Sequence, residues 1–170
     1  MSIEITPAIL PKTYEELEEK LSLVRGLVKL VQIDMADGKF VPSRTWPYSV
    51  EHDQRFENLM HEKVGLPHWK DFDFEFDLMV FDPLKEADHW ITAGASRIII
   101  HVESATNKLE SIIHSIKKRG TEVGLALNTE TPNKAIYPFV EKADFLQFMG
   151  IARIGFQGES FDERVLEKIK

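Results

Sequence analysis

Val31-Gln32-Ile33-Asp34-Met35-Ala36-Asp37-Gly38-Lys39-Phe40-Val41-Pro42 is the stretch around which the rest of the chain organises. Its front half completes an apolar run over 29–35 and reads as a strand. Alternate side chains of a strand share a face, so Gln32 and Asp34 point the same way, with Asp34 at the strand's end. Upstream lie a strand over 3–10 and a helix over 14–24, opened by Thr13 with Glu16 three residues on, a capping box. Downstream, a helix over 52–64 leads to a strand over 74–81. On that strand Phe74, Phe76, Leu78 and Val80 share one face, and Asp73, Glu75, Asp77 and Met79 the other. Asp82-Pro83 opens a helix to about residue 93, with Pro at the first helical position. A strand over 96–102 follows, then a helix over 107–119 stopped by Gly120 and a strand over 123–128. Thr131-Pro132 opens a fifth helix, disturbed or shortened at Pro138. A strand over 144–149 and a helix over 160–170 complete the series. Units this short and regular predict an α/β fold, a parallel sheet with helices outside it. In barrels of this kind the chemistry sits at the C-terminal ends of the strands.

Composition bounds the rest. The 170 residues suffice for one domain, expected to span 1–170, with 43% apolar and 29% charged residues. The absence of cysteine excludes disulfides and thiolate metal sites. No run of about 18 uncharged apolar residues exists, so no membrane span is expected. Met1-Ser2-Ile3-Glu4 lacks the basic start of an export signal, and a cytoplasmic location follows as the expectation. A net charge of -7 argues against nucleic acid but not against a small phosphorylated ligand. The connection over 46–72, with Trp46, Tyr48, Trp69 and Phe72, is either an elaborated lid or a surface insertion, the second being preferred.

The quoted stretch resembles the ribulose-phosphate 3-epimerase signature H-x-D-x-M-D-G-x-F-V-P. The likeness continues in order along the chain. Glu75-Phe76-Asp77-Leu78-Met79 resembles the third-strand D-x-H-L-M, and His101-Val102-Glu103 the fourth-strand H-x-E. Ala126-Leu127-Asn128-Thr129-Glu130-Thr131-Pro132 resembles A-L-N-P-x-T-P, and 155–161 the phosphate-side loop G-F-G-G-Q-x-F. The resemblance implies a parallel (β/α) barrel of the ribulose-phosphate-binding type, truncated to about six strand-helix units. It also implies a ketopentose phosphate substrate, a divalent metal, and epimerisation through two acid-base groups.

The departures are specific. The family's metal is held by His and Asp on strand two, His on strand three and Asp on strand seven; here those positions read Gln32, Asp34 and Asp77, and the chain ends before a seventh strand. Ala8 stands where the family has a substrate-contacting Ser, and one extra residue lies between Met149 and Gly155. Asp34 is unchanged, and the resemblance implies it as the catalytic base. Epimerisation needs a second group on the opposite face, and no carboxylate on strands five or six replaces it; Glu159 is the nearest candidate in a loop. Gln32, Asp34 and Asp77, with Glu75 one layer deeper, form either an oxygen-rich site for Mg, Mn or another hard cation, or an acidic strand wetted by solvent. The wetted strand is preferred.

The other candidates are substrate-side. His101 is a catalytic-face residue by family position or a hydrogen-bonded structural one. Asn128 is expected at the mouth. Met79 and Met149 resemble methionines lining the substrate cavity, although core packing explains them equally. The loop with Gly155, Gly158 and Glu159 is expected to cradle phosphate or another small anion ahead of the last helix. Six strands leave two edges with an apolar interior beside them, so a homo-oligomer is expected. An epimerase with an incomplete site, a non-catalytic binder of sugar phosphate or anion, and a scaffold all remain open.

Overall fold

The computed structural model describes residues 3–105 and 107–170. Met1 and Ser2, part of the non-basic start, lie outside them. Six strands form one parallel sheet in sequence order: β1 Ala8–Ile9, β2 Leu30–Ala36, β3 Asp73–Met79, β4 Ala95–His101, β5 Glu122–Leu127 and β6 Phe145–Phe148. Between them run α1 Tyr14–Val24, α2 Gln54–Met60, α3 Pro83–Thr92 and α4 Leu109–Lys118, and after β6 comes α5 Arg164–Ile169. No helix among the described residues is long and apolar enough to cross a membrane.

Local chemistry sets these bounds. The Thr13 hydroxyl accepts from the Glu16 amide at 3.1 Å, and the Glu16 carboxylate accepts from the Lys12 amide at 2.7 Å, so α1 begins where its cap predicts. The first strand is far shorter than expected. Ile3 and Ile5 are exposed and Pro7 carries no amide proton, which leaves only Ala8 and Ile9 paired with Gln32 and Ile33. The fifth helix is replaced by two 3₁₀ turns, Asn133–Ala135 and Tyr137–Phe139, with Pro138 inside the second. The last helix starts at Arg164 rather than 160, behind Asp162, whose carboxylate accepts the Arg164 amide at 3.1 Å.

The main core lies between the sheet's convex face and the helices. Val31, Ile33 and Met35 of β2 meet Phe74, Phe76 and Leu78 of β3 and Ile98 and Ile100 of β4 there. Burying each such side chain contributes about 1.5–3 kcal/mol. The first part of the 46–72 connection belongs to this core, so it is neither lid nor surface insertion. Trp46 is 1% exposed, donates its indole N–H to Asp53 at 2.7 Å and meets Tyr14 edge-on at 5.2 Å between ring centroids. Phe76 stacks on Trp90 at 4.5 Å, and Tyr48 donates to Glu86 at 2.5 Å. The chain returns to its surface by Trp69, which is 59% exposed.

The concave face differs from expectation. It carries Gln32, Asp34, Glu75, Asp77, Arg97, His101 and Gln147, joined by polar contacts across the strands. The apolar interior that was to drive self-association is therefore a polar trough.

Candidate functional site

Period-two alternation selects the side chains that meet in this trough. Asp34 and Asp77 are partners in the β2–β3 register, so the two carboxylates stand side by side at the C-terminal end of the sheet. Gln32, one inward position below, donates its amide to Asp34 Oδ1 at 2.7 Å. Gln147, inward on β6 between Phe145 and Met149, reaches across and donates to Asp77 Oδ2 at 2.9 Å. His101 is wholly buried, with Nε2 at 3.1 Å from Asp77 Oδ1 and Nδ1 at 3.7 Å from Glu103 Oε2. Neither contact qualifies as a hydrogen bond, so both are held by charge and proximity. Glu103 Oε1 accepts from the Asn128 amide at 2.9 Å and from the Thr131 hydroxyl.

Glu75 and Asp77 are only 5% and 1% exposed, which corrects the expectation of a solvent-wetted acidic strand. The electrostatics follow from that burial. Removal from water, then the neighbouring Asp77 charge, push the Asp34 carboxyl up to about 7 against the opposing Gln32 hydrogen bond. Burial alone would lower His101, but the facing Asp77 and Glu103 carboxylates outweigh it and raise it to about 9. Burial likewise raises Glu75, with Arg97 opposing at 3.7 Å. Glu103 is disfavoured by burial, yet the His101, Thr131 and Asn128 donors bring it down to about 2.

Several buried polar atoms here have no hydrogen-bond partner: Asp77 Oδ1, both His101 nitrogens, Glu103 Oε2 and Asn128 Oδ1. Asp77 Oδ1 and His101 Nε2 face each other as an ion pair, which leaves Glu103 Oε2 and Asn128 Oδ1 as the buried oxygens here open to the polar groups of a water or ligand. Towards the strands' N-terminal ends the trough widens into a cavity of about 490 Å³ lined by Thr6, Gln32, Glu75, Arg97, Phe145 and Gln147. A larger hollow of about 590 Å³, between Leu59, Trp69, Phe72 and Thr92, lies at the N-terminal end of β3 and does not reach this cluster.

At the other end the trough is capped. Phe40 covers His101 with ring centroids 5.6 Å apart. Ala36, Val41, Met79 and Ile154 form a small apolar cluster, with Met149 and Ile151 against it. Met79 thus packs in this cap, while Met149 touches Gln147 through its sulfur at 3.5 Å. Gly155 has φ +83, and a Cβ there would meet Ser43 Oγ at 2.5 Å, so the loop after β6 lies directly on the 41–43 turn. Beyond it, Gln157 donates to the Ala8 carbonyl at 3.3 Å, tying the loop to β1. Gly158 is open to solvent and Glu159 pairs with Arg153 at 2.7 Å. Neither joins the buried cluster. Asn128 does join it, its backbone held by Glu103 and by Lys168 Nζ at 2.6 Å.

A family model described as the Ribulose-phosphate 3 epimerase family matches residues 4–170. The chain belongs to the ribulose-phosphate 3-epimerase family. The ribulose-phosphate 3-epimerase of Schizosaccharomyces pombe is 32% identical over 168 residues, covering 98% of this chain and 69% of the relative. That of Chlamydia muridarum is 32% identical over 83% of this chain and 56% of its own length. The chloroplastic ribulose-5-phosphate-3-epimerase of Arabidopsis thaliana is 29% identical over 98% of this chain and 56% of its own. The chain thus spans about half to two-thirds of these relatives' lengths.

For the ribulose-phosphate 3-epimerase family a divalent ion is implied, and the donors found here do not fit one. Among the described residues no three His, Asp or Glu side chains converge as an ion-holding group. Three of the four oxygens of Asp34 and Asp77 already face nitrogen, from Gln32, Gln147 and His101. Sequence reasoning brought Gln32, Asp34, Asp77, His101 and Asn128 to one face but missed Gln147. Its signal was a single polar residue at an inward position of the apolar run Phe145-Leu146-Gln147-Phe148-Met149.

Proposed function

We propose that this chain binds a phosphorylated ketose in the trough and transfers the proton next to its carbonyl, with Asp34 as the base. The observation that carries this reading is the buried Asp34–Asp77–His101 cluster, with a carboxyl poised near neutrality and the unpartnered Asn128 Oδ1 in the same cluster. Above about pH 7 Asp34 is ionised and accepts the proton. A base of this kind contributes roughly 10²–10⁴ in rate. The His101 imidazolium, charged below about pH 9, then offsets the negative charge that develops on the enediolate. Asn128 and Met149 line the same space. A small anion such as the sugar's phosphate lies toward the Gly155 loop, following the family likeness.

The trough serves one face of the substrate. Asp34 and Asp77 come from adjacent strands and stand together, so a proton taken by one is returned from the same side. The primary event is therefore hydrogen exchange at the reacting carbon, ahead of inversion. Incubating the chain with ribulose 5-phosphate in D₂O and following C3 by proton NMR tests this. Deuterium incorporation that disappears in Asp34→Asn is the expected result. Binding without any exchange would reject catalysis and leave a non-catalytic sugar-phosphate-binding member of the family. That second reading draws on the loop at Ile154 and Gly155, which is engaged in closing the mouth.

A further inference from the structure

We infer that this site is built to operate without a divalent ion, and that Gln147 is the positioning residue that makes it so. The inference concerns the site of the proposed function but rests on its hydrogen bonding, not on turnover. A divalent ion needs converging lone pairs, four for zinc and about six for magnesium or manganese. The trough offers the reverse, because amide and imidazole nitrogens are directed at the carboxylates. Gln32 donates to Asp34 at 2.7 Å and Gln147 to Asp77 at 2.9 Å. A carboxylate accepts only from the NH₂ end of an amide, so both amides turn their carbonyl oxygens away from the carboxylate oxygens they bond.

Two departures from the family pattern belong together. Asp77 replaces an imidazole ligand with a carboxylate on β3, which places a second negative charge beside Asp34 in the strand register. Leaving a buried carboxylate oxygen unpaired is costly. Gln147 lies 70 residues away in sequence, and its side chain crosses from β6 to satisfy that oxygen. His101 flanks the other oxygen at 3.1 Å. His101 and Gln147 thus hold Asp77 beside Asp34 by charge and hydrogen bonding, the part a metal ion would otherwise play in fixing these carboxylates.

Two measurements on the full chain test this. In equilibrium dialysis against MnCl₂ and, separately, ZnCl₂, the wild-type chain is expected to retain far less than one ion per chain at micromolar metal. Retention of one ion per chain that is lost in Asp77→Asn would overturn the inference. A double-mutant cycle of Gln147→Leu and Asp77→Leu in urea gives the second readout. The unfolding equilibrium constants are expected to deviate from multiplicativity by roughly ten-fold, because a buried contact couples its partners. Multiplicative behaviour would remove Gln147 from its assigned role. Leucine keeps each position filled, so the cycle reads the contact and not a cavity.

Discussion

Asp34→Asn should make the protein more stable at alkaline pH and leave it nearly unchanged at acid pH. Asparagine keeps the oxygen that accepts the Gln32 amide at 2.7 Å, so the local hydrogen bond survives. What disappears is the ionisation. In the folded chain Asp34 holds its proton up to about 7, against an ordinary carboxyl value of 3.8. Between those values the native state binds more protons than the unfolded chain, so unfolding free energy falls as pH rises. The cost is absent below the lower value and complete above the upper one. At about 1.4 kcal/mol per unit, the full shift corresponds to ~4 kcal/mol. Asp34 keeps part of its surface accessible, and screening there reduces the expectation to ~2 kcal/mol. Urea unfolding of wild type and Asp34→Asn at pH 4, 6 and 8 measures it, using the linear dependence on denaturant. The variant should gain ~2 kcal/mol over wild type across that range. Parallel curves for the two proteins would refute the assignment of a raised proton affinity to Asp34.

Two further outcomes are expected. His101 is raised from 6.5 to about 9, so it contributes stability that is fully present below 6.5 and lost as pH rises through 9. His101→Gln should abolish the decline in that window, as followed by thermal unfolding at pH 6, 7.5 and 9. Gly155→Ala should destabilise by about 2–3 kcal/mol, because a Cβ at φ +83 also meets Ser43 Oγ at 2.5 Å and Val41 Cγ2 at 2.9 Å. Gly158→Ala has φ +78 but open space around it and should cost only about 1 kcal/mol, a contrast that urea titration resolves.

The parallel order of strands was legible because each βα unit carries its own local signals. The Thr13 cap, the Pro83 start and the Gly120 stop act within a few residues, and the observed helices begin or end beside them. Asp34 and Gln32 shared a face by strand periodicity alone. The misreadings arose where distant parts decide. Nothing near residues 3–6 in sequence reveals that, among the described residues, pairing with β2 begins only at Pro7 and Ala8. Trp46 looked like loop decoration because its burial depends on Tyr14 and Trp90, which lie far along the chain. Glu75 and Asp77 appeared wettable because their partners, Arg97, His101 and Gln147, come from other strands. Local propensity is readable from a single sequence, whereas charge compensation across a sheet requires the register.

The contact between Gln157 and the Ala8 carbonyl acts as a clasp across the rims of the trough. It joins residues 149 positions apart through a single exposed hydrogen bond, of a kind worth about 1 kcal/mol. A fastening that weak is undone in roughly one molecule in six at any instant, since 1.4 kcal/mol corresponds to a factor of ten. What keeps the loop after the last strand in place is therefore its packing at Ile154 and Gly155 against the 41–43 turn, and not this fastening.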